Sequence, residues 1–191
     1  NSWLTKSVTA KSTKYEEIFN KVFNQFEQIT EGRHTFWLDL EKNEEELFKN
    51  MKRQTRYDIR QGMKSDIKTT IYKEPSNKII QQFWEYYKSI ATEKKFRMYS
   101  EGKFKHEIFT LMKNGHADLF VYYYNGTIVN FSLASNFGIA SYLHGAINYK
   151  FKELKGCPSP GQLAQWEMMT KVKADGAKIY DMGFCPGPEP Y

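Results

Sequence analysis

Across residues 13–29 the apolar side chains Tyr15, Ile18, Phe19, Val22, Phe23, Phe26 and Ile29 recur at three- and four-residue steps, which gathers them on one helical face. Thr13 and Glu16 have capping-box spacing, and Gly32 stands where such a helix stops. A short strand over 35–40 follows. The acidic run Glu44, Glu45, Glu46 then opens a second helical stretch to about residue 64, its negative charge placed at the positive end of the helix dipole. Alternation and β-branched content predict a strand over 67–72. Pro75 begins a long helix to about residue 96, with Ile79, Ile80, Phe83, Tyr86, Tyr87 and Ile90 turned inward. A further helix over 102–113 carries Phe104, Ile108, Phe109, Leu111 and Met112.

The sharpest local signal is Asn125-Gly126, the dipeptide of a type I′ turn, between strand-like stretches at 117–124 and 127–135. Asn136-Phe137-Gly138 turns into a third strand over 139–148. A polar loop reaches Ser159, Pro160 begins a helix to about Asp175, Gly176 sits at its C-cap, and a last strand covers 179–182. This order of elements resembles the GNAT-like acyltransferase fold, an α/β (α+β) class with a mixed central sheet and an antiparallel meander flanked by helices. In that topology the helix after the meander turns its N-terminus to a phosphate-bearing donor, where unpaired N–H groups and the dipole favour an anion.

Composition narrows the class. A chain of 191 residues, 40% hydrophobic and 16% aromatic, supports one packed domain rather than disorder. No apolar run approaches the roughly 20 residues of a transmembrane helix, and residues 1–14 lack the apolar stretch of a secretory signal. A cytoplasmic protein is expected. Cys157 and Cys185 stand in no CxxC pair and at no zinc-ligand spacing from a histidine, so no metal is expected. The net charge of +6 suits an anionic partner: nucleic acid, a nucleotide-linked substrate, or acidic phospholipid through a peripheral membrane contact. A generically basic domain explains it equally.

Four constellations carry candidate chemistry. Lys49, Arg53, Arg56, Arg60 and Lys64 share one helical face and suit phosphate oxygens, the alternative being a solvated face. Tyr142 and His144, two apart, are expected on one side of a strand, the tyrosine donating to a developing oxyanion and the histidine taking a proton from an attacking amine. Satisfied core positions explain the pair as well. Ser159 and Gly161 open a helix at which small residues let a ligand approach the backbone, or they form a plain capped start. Asp181, at a strand end beside Gly183, suits a general base or an amine-orienting carboxylate, or else caps a turn. The coenzyme A signature of an Arg or Gln, two residues, then Gly-x-Gly or Gly-x-Ala is not present, and Tyr122 to Tyr124 read as a covered strand rather than a base-stacking platform.

The segments Thr35-Phe36-Trp37-Leu38-Asp39-Leu40, Arg56-Tyr57-Asp58-Ile59-Arg60, Tyr142-Leu143-His144-Gly145-Ala146 and Tyr180-Asp181-Met182-Gly183 together resemble the second GNAT-like subdomain of the Fem-type peptidoglycan-bridge aminoacyltransferases. The resemblance implies transfer of an amino acid from aminoacyl-tRNA to a side-chain amine of a peptidoglycan precursor in the bacterial cytoplasm, with neither metal nor coenzyme A. By position it implies anion contact for Arg56, Arg60 and Arg97, the substrate cleft for Tyr142, and its lining for Asp181. It also implies that residues 35–191 are the GNAT-like domain and residues 1–34 a remnant of the first subdomain. A Phe-Lys pair that follows the last strand in that family has no counterpart before Tyr191. A thioester-dependent N-acyltransferase and a non-catalytic module for an anionic ligand are the competing readings, and oligomeric state is left open.

Overall fold

The turn at Asn125-Gly126 joins two adjacent interior strands of the sheet. Both residues take positive φ, 48° and 78°, the conformations with which a two-residue type I′ loop matches strand twist. In the computed structural model, which describes residues 34–95, 98–136 and 139–185, this loop joins β3 (Ala117–Tyr124) to β4 (Thr127–Ser135), and β5 (Ala140–Ile147) completes the meander. At one edge β2 (Ile67–Tyr72) pairs with β3; at the other β1 (His34–Asp39) pairs with β6 (Ile179–Cys185). The strands form one six-stranded sheet in the order β1-β6-β5-β4-β3-β2, antiparallel throughout except where β5 meets β6. The amphipathic segment 13–29 and Arg97 lie outside the described residues.

Period-two alternation splits the strands between two cores. Phe120, Tyr122 and Tyr124 point to one face, covered by α1 (Glu44–Lys49), α2 (Arg53–Lys64) and α5 (Pro160–Ala174). Leu119, Val121 and Leu133 point to the other, covered by α3 (Asn77–Lys94) and α4 (Glu101–Lys113). Tyr122 is fully buried and Tyr124 nearly so, as a strand covered on both faces requires. In α3 the buried set is Ile79, Ile80, Phe83, Trp84, Tyr87 and Ala91, while the expected Tyr86 and Ile90 are only partly covered.

Two expectations are corrected. The helical stretch 44–64 is two helices, broken at 50–52, because the chain must turn for both Leu47 and Ile59 to reach one core. The final strand runs three residues past 182, because β1 supplies partners as far as Cys185. Gly62 has a packing cause: a Cβ there would lie 2.9 Å from Leu163 Cβ, so α2 and α5 cross closely only on a glycine.

Candidate active site

Strands β5 and β6 pair in parallel at only two positions, Ala140 with Tyr180 and Ser141 with Asp181. Beyond them β5 follows β4 and β6 follows β1, so the sheet opens into a wedge. Its closed end is tied by Tyr180, fully buried, whose hydroxyl donates to Gln165 Oε1 of α5 at 3.1 Å. Burial, with Tyr142 and Asp181 nearby, holds the Tyr180 phenol well above its ordinary range and therefore protonated. The first turn of α5 approaches the wedge: a Cβ on Gly161 would stand 3.1 Å from Ile147 Cδ1 of β5. Pro160 occupies the first helical turn and the Ser159 hydroxyl makes no cap to the helix, so Ser159 marks the start without closing it.

Tyr142 is the first β5 residue past the split. It packs on the α5 face, in the core that holds Ala134, Tyr180 and Met182. Two glycines make room for it. A Cβ on Gly145 would fall 1.8 Å from the Tyr142 hydroxyl, and one on Gly183, whose φ is +82°, would lie 3.2 Å from the Tyr142 carbonyl oxygen. Burial pushes the Tyr142 phenol up to about 12, which keeps it a neutral O–H donor across physiological pH.

His144 does not share that face. Leu133 pairs with His144 and Ala134 with Tyr142, so Leu143 is an extra residue and the strand bulges. The bulge cancels the expected alternation. His144 is buried on the α3–α4 side, with its ring 5.3 Å from Phe104, 5.7 Å from Tyr99 and 6.1 Å from Tyr87. Its Nε2 lies 3.3 Å from Glu107 Oε1. That environment is a satisfied core histidine, and the expected partnership with Tyr142 is withdrawn.

Asp181 also faces away from Tyr142, because its neighbours Tyr180 and Met182 both enter the α5-side core. Its carboxylate is engaged by three donors: the Thr35 hydroxyl, Trp37 Nε1 at 3.2 Å, and the Gly183 backbone N–H at 2.8 Å. Both oxygens are used to fasten β6 to β1 where β6 leaves β5. The arrangement commits the Asp181 carboxylate to the tie between β6 and β1, on the face away from Tyr142.

The basic row is rearranged by the break between α1 and α2. Arg56 Nη1 donates to the Lys49 carbonyl at 3.0 Å and to the Met51 carbonyl, so that end of its guanidinium closes the corner between α1 and α2. Arg60 lies 5.0 Å over the Phe48 ring, and Lys64 is exposed in the last turn of α2. The stripe expectation missed Tyr57, which stands between Arg53 and Arg60 and is 55% exposed.

Glu167 was also missed. It sits beneath an open cleft of about 510 Å3 between β2 and α5, and it accepts from Thr69 Oγ1 at 2.7 Å. Burial raises its carboxyl, with Thr69 and the Tyr122 phenol lowering it in part. The only sequence signal was one acid between Trp166 and Met168 in an apolar helix.

A six-stranded mixed sheet with an antiparallel meander, a following helix and a strand splayed from the meander is the GNAT architecture. The family description "Acetyltransferase (GNAT) domain" matches residues 48–191, and the chain belongs to that family. Among solved structures it is similar to FemX, with a TM-score of 0.69 and 17% identity over 81% of this chain and 54% of that one. It is also similar to L-PGS from Bacillus licheniformis, with a TM-score of 0.53 and 14% identity over 91% of this chain and 53% of that one. The chain thus spans about half the length of each. No curated protein matches the sequence. Among the described residues no helix is long and apolar enough to cross a membrane.

Proposed function

We propose that the chain is an acyltransferase that moves an aminoacyl group from an RNA-borne ester to an amine of a peptidoglycan precursor, in the bacterial cytoplasm, with the β5–β6 wedge as its reaction site. The observation that carries the reading is Tyr142: a protonated phenol held in a glycine slot at the split of the sheet. As the amine attacks the ester carbonyl, charge develops on the carbonyl oxygen, and a fixed donor there lowers the barrier more than water would. The new C–N bond forms, the C–O bond to the ribose breaks, and the proton lost by the amine is relayed through solvent to the departing ribose oxygen, which leaves as a hydroxyl. A ribose ester is already activated, so alignment supplies much of the acceleration and no enzyme nucleophile is needed. In this reading residues 35–191 are the catalytic domain and residues 1–34 belong to an adjoining subdomain. Fold likeness to FemX supports the donor class; likeness to L-PGS makes a phospholipid acceptor the contrasting outcome.

The test is transfer of a radiolabelled amino acid from charged tRNA to a purified lipid-free precursor peptide, with phosphatidylglycerol and with acetyl-coenzyme A plus an amine run in parallel. Labelled peptide that requires the charged tRNA is expected. Labelled lipid would reassign the acceptor. Saturable coenzyme A binding and acetyl transfer without tRNA dependence would replace this reading with a thioester-dependent one.

A further inference from the structure

The outer face of α2 carries a row of side chains that the wedge does not use. At 100° per residue, Arg53, Tyr57, Arg60 and Lys64 fall within roughly 60° of one another and span about 16 Å. They lie opposite Gly62, the residue pressed on Leu163, so the row points away from the protein. All four are exposed, and the exposed Lys49 and Lys52 extend the charge past the N-terminal end of the helix. Arg53, Gln54 and Tyr57 line a shallow cleft of about 410 Å3. Arg60 lies over Phe48 with its guanidinium carbon 5.0 Å from the ring centroid, and a ring accepts no N–H···O bond that a phosphate would compete for. Among the described residues neither Arg53 nor Lys64 is in a salt bridge. The nearest acid on the helix, Asp58, lies on the flank and accepts from Gln54 at 2.8 Å.

Cations in a rigid row suit a chain of phosphates, and a planar phenol set among them suits a base that can stack. A free phosphate would use at most the Tyr57 hydroxyl and leave the exposed ring face idle. A bilayer surface would call for a broad apolar band beneath the cations, and among the described residues Met63 is the one large exposed aliphatic side chain of α2. We propose that the Arg53–Tyr57–Arg60–Lys64 face of α2 docks single-stranded RNA, with a base stacked on Tyr57 and phosphates on the three cations. The surface deepens the proposed function, since an RNA-borne donor is what it would hold, but its binding is measurable without any transfer.

The experiment is fluorescence anisotropy of the folded protein with a labelled, unacylated single-stranded RNA of about a dozen nucleotides and with a blunt RNA duplex, between ~50 and ~200 mM salt. The double variant Arg53→Glu, Lys64→Glu is expected to weaken binding at least tenfold and to flatten the slope of log affinity against log salt by about 1 or more. Tyr57→Ala is expected to weaken single-stranded binding about tenfold and duplex binding little, with Tyr57→Phe near wild type. Circular dichroism identical to wild type shows that the variants fold. RNA affinity that none of the variants changes overturns the proposal, as does binding to phosphatidylglycerol vesicles, but not to RNA, that the charge reversals abolish. If RNA docks as described while transfer from charged tRNA fails, the docking surface stands and the donor assignment falls. If transfer proceeds and the double variant leaves KM for charged tRNA unchanged, the reverse holds.

Discussion

Tyr142 and His144 are two residues apart on β5, and the structure gives them opposite lives. Tyr142 lies on the α5 side at the split of the sheet, with Gly145 and Gly183 clearing space for its ring. His144 lies on the α3–α4 side among Phe104, Tyr99 and Tyr87, with Glu107 at its ring nitrogen. One inserted residue, Leu143, separates them. The difference teaches that strand register, rather than proximity in sequence, decides which face a side chain joins: one ring stands where β5 parts from β6, whereas the other is enclosed by packed aromatic groups.

The strongest way to break that comparison is to remove the phenol oxygen. Tyr142→Phe is expected to lower kcat by about 10²-fold, in the range for loss of one oxyanion donor, with stability within about 0.5 kcal/mol of wild type. Steady-state kinetics beside urea unfolding measures both; an unchanged kcat would remove Tyr142 from the chemistry. The mirror experiment is His144→Ala, expected to cost about 2 kcal/mol of stability through the cavity it leaves. Its kcat, measured well below the unfolding midpoint, should be near wild type. A stable variant with no activity would return His144 to the site.

Gly145→Ala sharpens the comparison from the other direction. The added methyl would meet the Tyr142 hydroxyl at 1.8 Å, so the ring must swing out, at a cost of about 1–3 kcal/mol. Its phenol, held at about 12, should fall toward the ordinary ~10, which tyrosine-ζ-carbon NMR can follow with pH. Asp181→Asn is expected to cost about 1 kcal/mol by weakening the tie between β1 and β6. It should slow transfer only modestly, whereas a loss as deep as that of Tyr142→Phe would make Asp181 a base after all.

The smallest effect concerns Glu167. Burial raises its carboxyl in the folded protein, so the native state binds a proton more tightly than the unfolded chain does. Stability from this group is full below the unfolded value of ~4.3 and is lost as pH rises through the folded value. Glu167→Gln should therefore flatten the fall of stability as pH rises above the ordinary carboxylate range, read by urea midpoints across that rise. A variant with the wild-type pH profile would show that Glu167 is not the group responsible.

Much of this was legible along the chain. The Asn-Gly hairpin, β2 at 67–72 and the helix from Pro160 follow from local propensity and turn chemistry, which act over a few residues and need no partner. The candidate site was legible in part. Tyr142 and His144 were both visible as candidates on one strand, but their separation to opposite faces was not, because a bulge is set by how β5 pairs with β4. Arg56 and Tyr57 exchanged roles for the same kind of reason: the break between α1 and α2 turned the guanidinium to backbone carbonyls and left the phenol outward.

By itself, then, the sequence determined the elements, their order and the GNAT-type topology, since hydrophobic period, caps and turn dipeptides are short-range properties of neighbouring residues. Only the tertiary structure decided which face each candidate side chain occupies, where β5 parts from β6, and which groups are already satisfied. Those outcomes depend on strand register, helix crossing and burial, each set by residues far apart in the chain that no local pattern connects.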